Sequence, residues 1–295
     1  MAKKIDLAAI ATPRKITAPS SGFGSESELV MADIPETTET DEEIKARIAQ
    51  RFIILERMTN GVKRGQFKSM IVSGAAGVGK THTIEEALSP YKFVSELGSS
   101  ELTFEIVGGK TSALGLYQTL YHHRHSKHVV VFDDCNSVLY DSDSLEILKR
   151  ALDSKERRTI NWNLESRVLQ REGIENSFEF NGGVIFVTNI NFDYIRGGRR
   201  AEDLKALVSR SHYMDLTIHT QREKMLRIHQ VVEQGMLDKH GFEDYEVKEI
   251  LDFIEENKQF ARDMSVRLVG KIAEIRASMP DMWKEVAIAT CTRKQ

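Results

Sequence analysis

Residues 74–81, Gly74-Ala75-Ala76-Gly77-Val78-Gly79-Lys80-Thr81, fit G-x-x-x-x-G-K-[ST], and nothing else in the chain constrains its fold as strongly. Glycines at these spacings let successive backbone N–H groups turn inward and cradle a phosphate chain. The helix expected after them points its positive end at the same anion. In such a loop Lys80 reaches the β- and γ-phosphates, and the Thr81 hydroxyl ligates Mg²⁺. The flanks suit this reading. Residues 67–73 predict a short buried strand entering the loop, and residues 81–88 predict a helix leaving it. The bland alternative is an ordinary glycine-rich turn.

A chain of 295 residues, 41% hydrophobic and 29% charged, holds enough apolar mass for a sizeable core in one or two domains. Its net charge of -3 argues against a strongly basic nucleic-acid coat, though not against a local DNA groove. The two cysteines, Cys135 and Cys291, are far apart and have no metal-ligand spacing. That points to a reducing compartment rather than a disulfide framework. No apolar run approaches the roughly 18 residues of a membrane span, and no long apolar stretch follows Lys3 and Lys4. A cytoplasmic location with no membrane partner is expected.

The organisation predicts three parts. Residues 1–40 are poor in large apolar groups and read as a flexible tail. Residues 41–218 alternate helix and strand signals, which predicts a parallel α/β sheet in a three-layer core. In 219–295 the strand signal stops and four helical segments follow, which predicts a small all-helical lid. Ile44, Ile48, Phe52 and Leu55 repeat at helical spacing ahead of the loop, and Asn60-Gly61 reads as the stop of that helix. Strands are expected over 102–107, 128–134, 183–189 and 213–218. The run Val129-Val130-Val131-Phe132 suggests a central strand buried on both faces.

Ligands of a parallel sheet bind outside the carboxyl ends of its strands, where Asp133 and Asp134 fall. Asp133 is placed to hold Mg²⁺, directly or through water. Asp134 is then next to the γ-phosphate, where a carboxylate can orient or deprotonate the attacking water. Alternatively, Asp-Asp-Cys-Asn merely starts a turn. The cluster His122, His123, His125 and His128 reads as a solvated helix end before a strand rather than a metal site.

The order of these features resembles the AAA+ ATPases over residues 45–280. It comprises the loop at 74–81, Asp133-Asp134, Thr188-Asn189 closing a strand, Leu207-Val208-Ser209-Arg210 before another, and then the helical lid. Residues 108–158 and 178–189 look like AAA-family ATPases encoded by bacteriophages. The resemblance implies ATP and Mg²⁺ as cofactors and a ring, usually a hexamer. It implies that Asn189 helps place the lytic water (sensor 1) and that Arg267, opening a lid helix, couples the lid to the nucleotide (sensor 2). Arg210 resembles the arginine finger that reaches a neighbouring subunit's γ-phosphate, with Arg199 and Arg200 as competitors. The family usually has Asp-Glu where this chain has Asp133-Asp134. The shorter Asp134 implies slow hydrolysis or a closer approach.

The client is less legible. Residues 158–162 and 177–180 suggest two strands flanking a polar loop, like the hairpin before sensor 1 in helicase-like and chelatase-like AAA+ proteins. Five basic and five acidic residues in 155–183 make it neutral, whereas a DNA-gripping hairpin is expected to be positive. Trp162 is placed either to stack a base or to pack as core. The segment Gly108-Gly109-Lys110-Thr111-Ser112 lacks the aromatic-apolar-glycine pattern of protein-threading machines. Two functions remain in view: a ring motor or remodeler on DNA or a protein–DNA assembly, and a slowly hydrolysing, nucleotide-switched loader with a protein client.

Overall fold

The computed structural model describes residues 38–96, 103–195 and 198–293; the expected tail therefore lies, up to residue 37, outside the described residues. The first helix, α1 (Asp41–Lys63), starts at a capping box. The Glu43 N–H donates to the Thr40 hydroxyl, and the Thr40 N–H donates to the Glu43 carboxylate. Asp41, Glu42 and Glu43 add negative charge where the helix dipole is positive. The helix runs through Asn60-Gly61, correcting the expected stop. Gly61 is there for space: a Cβ on it would lie 2.3 Å from the Phe67 ring. The turn falls at Gly65, in the left-handed region at φ +72°.

The α/β part continues with β1 (Ser69–Ser73), α2 (Lys80–Glu96), β2 (Phe104–Gly108), α3 (Ala113–His122), β3 (Val129–Asp133), α4 (Ser137–Tyr140) and α5 (Ser142–Ala151). A short excursion follows, β4 (Thr159–Asn161), α6 (Arg167–Glu172) and β5 (Ser177–Glu179). Then come β6 (Gly183–Thr188), α7 (Arg199–Arg210) and β7 (His212–Asp215). The main sheet has the order β2-β3-β6-β1-β7, with every pairing parallel. The strand ends are in line: Ser73 pairs with Thr188 and Asp215, and Asp133 with Val187. One edge of the sheet therefore collects the carboxyl ends of all five strands.

Both faces of the sheet are covered, so its central strands need apolar residues at every position. Val130, Phe132, Val184 and Phe186 pack on one side with Leu116 and Leu148 from α3 and α5. Val129, Val131, Ile185 and Met70 pack on the other with α1 and α2. Each fully buried Val, Leu, Ile or Phe contributes about 1.5–3 kcal/mol of transfer free energy. This is a three-layer α/β sandwich with a parallel five-stranded sheet.

The excursion is an antiparallel pair, β4 with β5, and its tip is a helix rather than the expected polar loop. It is fastened down at both levels. Phe178 meets the rings of Tyr117 and Tyr121 at 5.1 and 5.3 Å, and Trp162 meets Tyr117 at 5.6 Å. At its base, buried Arg158 donates to Ala151 O and Gly182 O. Trp162 is thus part of the hydrophobic cluster under the hairpin. Of the histidines, His123 and His128 are buried rather than solvated, and no grouping of His, Cys, Asp and Glu suited to a metal occurs among the described residues.

After β7 come α8 (Gln221–Glu233), α9 (Asp244–Asn257), α10 (Val266–Ser278) and α11 (Trp283–Cys291). They enclose their own core of Ile228, Ile250, Phe253, Val269, Ile272 and Trp283. Polar bonds tie α8 back to α1: Arg47 bridges Glu223, and Gln230 donates to Lys45 O. No helix among the described residues is long and apolar enough to cross a membrane.

Candidate functional site

The loop at 74–79 leaves the end of β1 and turns directly into α2. Gly77 and Gly79 occupy the left-handed region at φ +71° and +103°. Other side chains are strained in that region. Both glycines also take close neighbours: a Cβ on Gly77 would lie 2.8 Å from Ser265 Cβ, and one on Gly79 would lie 3.2 Å from Arg227 Nη2.

Lys80 is 6% exposed. Its ammonium donates to Gly74 O at 2.6 Å, Ala75 O at 2.9 Å and Asn189 Oδ1 at 3.0 Å. Burial pushes its pKa below the ordinary 10.5, against the pull of Asp134 and Asp133; Arg267 adds to the lowering and Asp215 opposes it. Next to it, the Thr81 hydroxyl donates to both carboxylate oxygens of Asp133 at 3.1 Å. Burial raises the Asp133 pKa, the Thr81 bond lowers it, and Asp134 raises it again. Residues far apart in sequence thus converge at the carboxyl edge of β1, β3 and β6.

Asp134 is exposed and lies just past β3, not within it. Its φ is +51°, and its N–H donates to Val187 O at 3.0 Å. Aspartate tolerates that left-handed position better than most side chains. The turn after β3 is locked to the end of β6, because the Thr188 hydroxyl donates to Asn136 Oδ1 at 2.8 Å. Asn189 follows Thr188 and is exposed apart from its bond to Lys80.

Arg267, exposed at the start of α10, is drawn to the loop by its neighbours. The Val266 N–H donates to Gly77 O at 2.9 Å, and the Arg267 side chain borders Gly77. Arg210 is not brought to this edge. It ends α7, its guanidinium donates to Ala206 O, and its carbonyl accepts from Ser69 Oγ at 3.4 Å. Ser69 opens β1, so Arg210 lies about 13 Å along that strand from the loop, at the opposite edge of the sheet. The side chains of Arg199 and Arg200 lie outside the described residues.

Two neighbours of the loop were not legible in the sequence. Asp215, at the end of β7, accepts from Thr217 N at 2.8 Å and Asn191 Nδ2 at 3.2 Å. Arg227, on α8, donates from Nε to Val78 O at 3.3 Å with its guanidinium 3.5 Å above the Phe52 ring. Arg227 lies in an amphipathic helix full of charged residues, and no spacing rule separates it from them.

The residues fit a nucleoside triphosphate with a hard divalent cation. Glycine positions crowded from behind leave the loop's inner face to an anion, and a buried ammonium closes it. Mg²⁺ takes few protein ligands, commonly one or two oxygens beside substrate phosphates. Thr81 Oγ1 and the Asp133 carboxylate supply such oxygens side by side.

No family model matches the chain. A protein of Enterobacteria phage T4, described as an uncharacterized 36.7 kDa protein in the nrdC-mobD intergenic region, is 37% identical over 257 residues. That match covers 86% of this chain and 77% of the phage protein. Among solved structures, domain III of the Thermotoga maritima replication initiation protein DnaA superposes with a TM-score of 0.50 at 10% identity. It covers 83% of this chain and 92% of that domain.

Proposed function

This chain belongs to one family with the phage T4 protein and has the AAA+ fold of the P-loop nucleoside triphosphatases; from that premise we propose that it is a Mg²⁺-dependent ATPase that works as an oligomer on DNA or on a protein–DNA assembly of the replication type. One observation carries the reading. Lys80 bonds to Asn189 while its neighbour Thr81 bonds to Asp133, at the mouth of a glycine loop. The structural likeness to a replication initiation protein supports the choice of client.

Bound Mg²⁺–ATP supplies the phosphoanhydride to be cleaved and a metal charge that neutralises its oxygens. The chain supplies the rest. Backbone N–H groups of residues 74–81 hold the phosphates, and Lys80 places a fixed positive charge against them. Thr81 and Asp133 hold the metal. The Asp134 carboxylate, free at the surface, orients the attacking water and takes its proton. Asn189 orients that water and Lys80 together. Arg267 reports the nucleotide to a lid of residues 219–295 that moves against the nucleotide domain of 41–218. Arg210 lies at the far edge of its own sheet and acts on a neighbouring subunit's site, as in a hexameric ring.

A second reading is a nucleotide-switched loader that hydrolyses slowly. Asp134 favours it: the left-handed turn suits aspartate, and aspartate is one methylene shorter than the usual glutamate. ATP turnover against protein concentration, with and without single-stranded DNA, separates the two. Specific activity that rises with concentration and again with DNA fits the motor. Slow, flat turnover indifferent to DNA fits the loader. The absence of ATP binding overturns both.

A further inference from the structure

Arg227 is 5% exposed and forms no ion pair among the described residues. Burial alone pushes its guanidinium down to about 10. A buried cation without an opposite charge is expensive, and the Phe52 ring beneath it offsets only part of that cost. The position of this charge, behind the phosphate loop, gives it a use.

A trans peptide sets its C=O and N–H on opposite sides, and no cis peptide occurs among the described residues. The Val78 carbonyl faces Arg227, so the Gly79 N–H faces away from the lid. One residue earlier, the Gly77 carbonyl faces the Val266 N–H, so the Val78 N–H also faces away. In a phosphate loop that is the anion's side. Two lid helices, α8 and α10, therefore fix two consecutive peptides from behind. Glycine adopts either sign of φ readily, so the Gly79 peptide turns over easily unless something holds it.

We infer that Arg227 is a positioning residue for the nucleotide: through the Val78 carbonyl it holds the Gly79 N–H toward the phosphates, which ties phosphate affinity to the seating of α8 on the loop. A phosphate chain on the far side of that peptide gives the guanidinium the opposite charge it lacks. The cation in turn polarises the peptide and strengthens its N–H as a donor. The α1 helix takes part through Phe52, so α1 and α8 converge on this peptide while α10 holds the one before it. The inference rests on reading residues 74–81 as a phosphate loop.

The test is ADP affinity by calorimetry on the full chain, wild type against Arg227→Met and Arg227→Gln, with thermal melts of each without nucleotide. The expected result is ADP binding weaker by at least about tenfold in Arg227→Met, because the Gly79 N–H is no longer held toward the phosphates and the positive charge behind it is gone. Arg227→Gln, which keeps a donor but not the charge, falls in between. Both variants melt within about 2 °C of wild type, since removing the uncompensated buried charge offsets the lost bond to Val78 O and the lost contact with Phe52. Wild-type ADP affinity in either folded variant overturns the inference. So does a loss of affinity accompanied by a large fall in melting temperature, which marks a packing strut. A wild-type chain that binds no ADP fails earlier and removes the phosphate-loop reading itself.

Discussion

Around Lys80 the chemistry is a balance of charges. Burial drives its ammonium toward neutrality, while Asp134 and Asp133 pull it back. A bound phosphate chain adds negative charge, so Lys80 keeps its proton to a higher pH in the complex than in the free protein. The complex then binds more protons than its parts, and affinity for ADP falls as pH rises toward 10.5. Calorimetry in buffers of different ionisation enthalpy measures the proton uptake; affinity that stays constant as pH rises toward 10.5 contradicts this balance. Asp134 is the companion case. Arrangement of the Asp133-Asp134 pair at a strand end was legible, but the left-handed turn that selects aspartate over glutamate was not, because one sequence shows only the residue and not its φ. Asp134→Asn keeps the turn and removes the carboxylate proposed as the base. It is expected to leave nucleotide affinity intact and to slow turnover by about 10²–10⁴-fold, and unchanged turnover would take Asp134 out of the chemistry.

At the scale of elements, what was legible follows from period and length. The buried runs at β3 and β6 read as strands because both faces of the sheet are covered, and long helices such as α1 and α10 show their period over several turns. The six-residue α6 is too short to show one, so the hairpin tip read as a polar loop. Asn60-Gly61 read as a stop because that dipeptide favours turns, whereas Gly61 serves the approach of Phe67. How the lid seats on the loop is a tertiary fact that no local pattern carries. It also gives a prediction. Gly77→Ala adds a Cβ 2.8 Å from Ser265 at a φ of +71°, so strain and crowding act together. The expected cost is about 1–3 kcal/mol, several degrees in a thermal melt, with weakened ADP binding. A variant that melts and binds like wild type would contradict the seating of α10 on Gly77.

For the whole molecule, the arrangement of Arg210 matters most. The loop and its acidic partners lie at the carboxyl edge of the sheet, and Arg210 lies at the other. With Arg210 as the proposed finger, one chain holds the parts of a site at two ends, which suits head-to-tail assembly. Heterologous contacts of that kind close into rings when the rotation allows. The placement of Arg210 before β7 was legible from order along the chain, and its distance from the loop follows from the parallel sheet. The most direct test is to mix Lys80→Ala, which lacks the phosphate-loop ammonium, with Arg210→Ala, which lacks the proposed finger, and to measure ATP turnover. Lys80→Ala is expected to be inactive and Arg210→Ala to bind ATP without turning it over, while the mixture recovers activity because each variant supplies what the other lacks. Turnover in Arg210→Ala equal to wild type, or a mixture as inactive as its components, would contradict it.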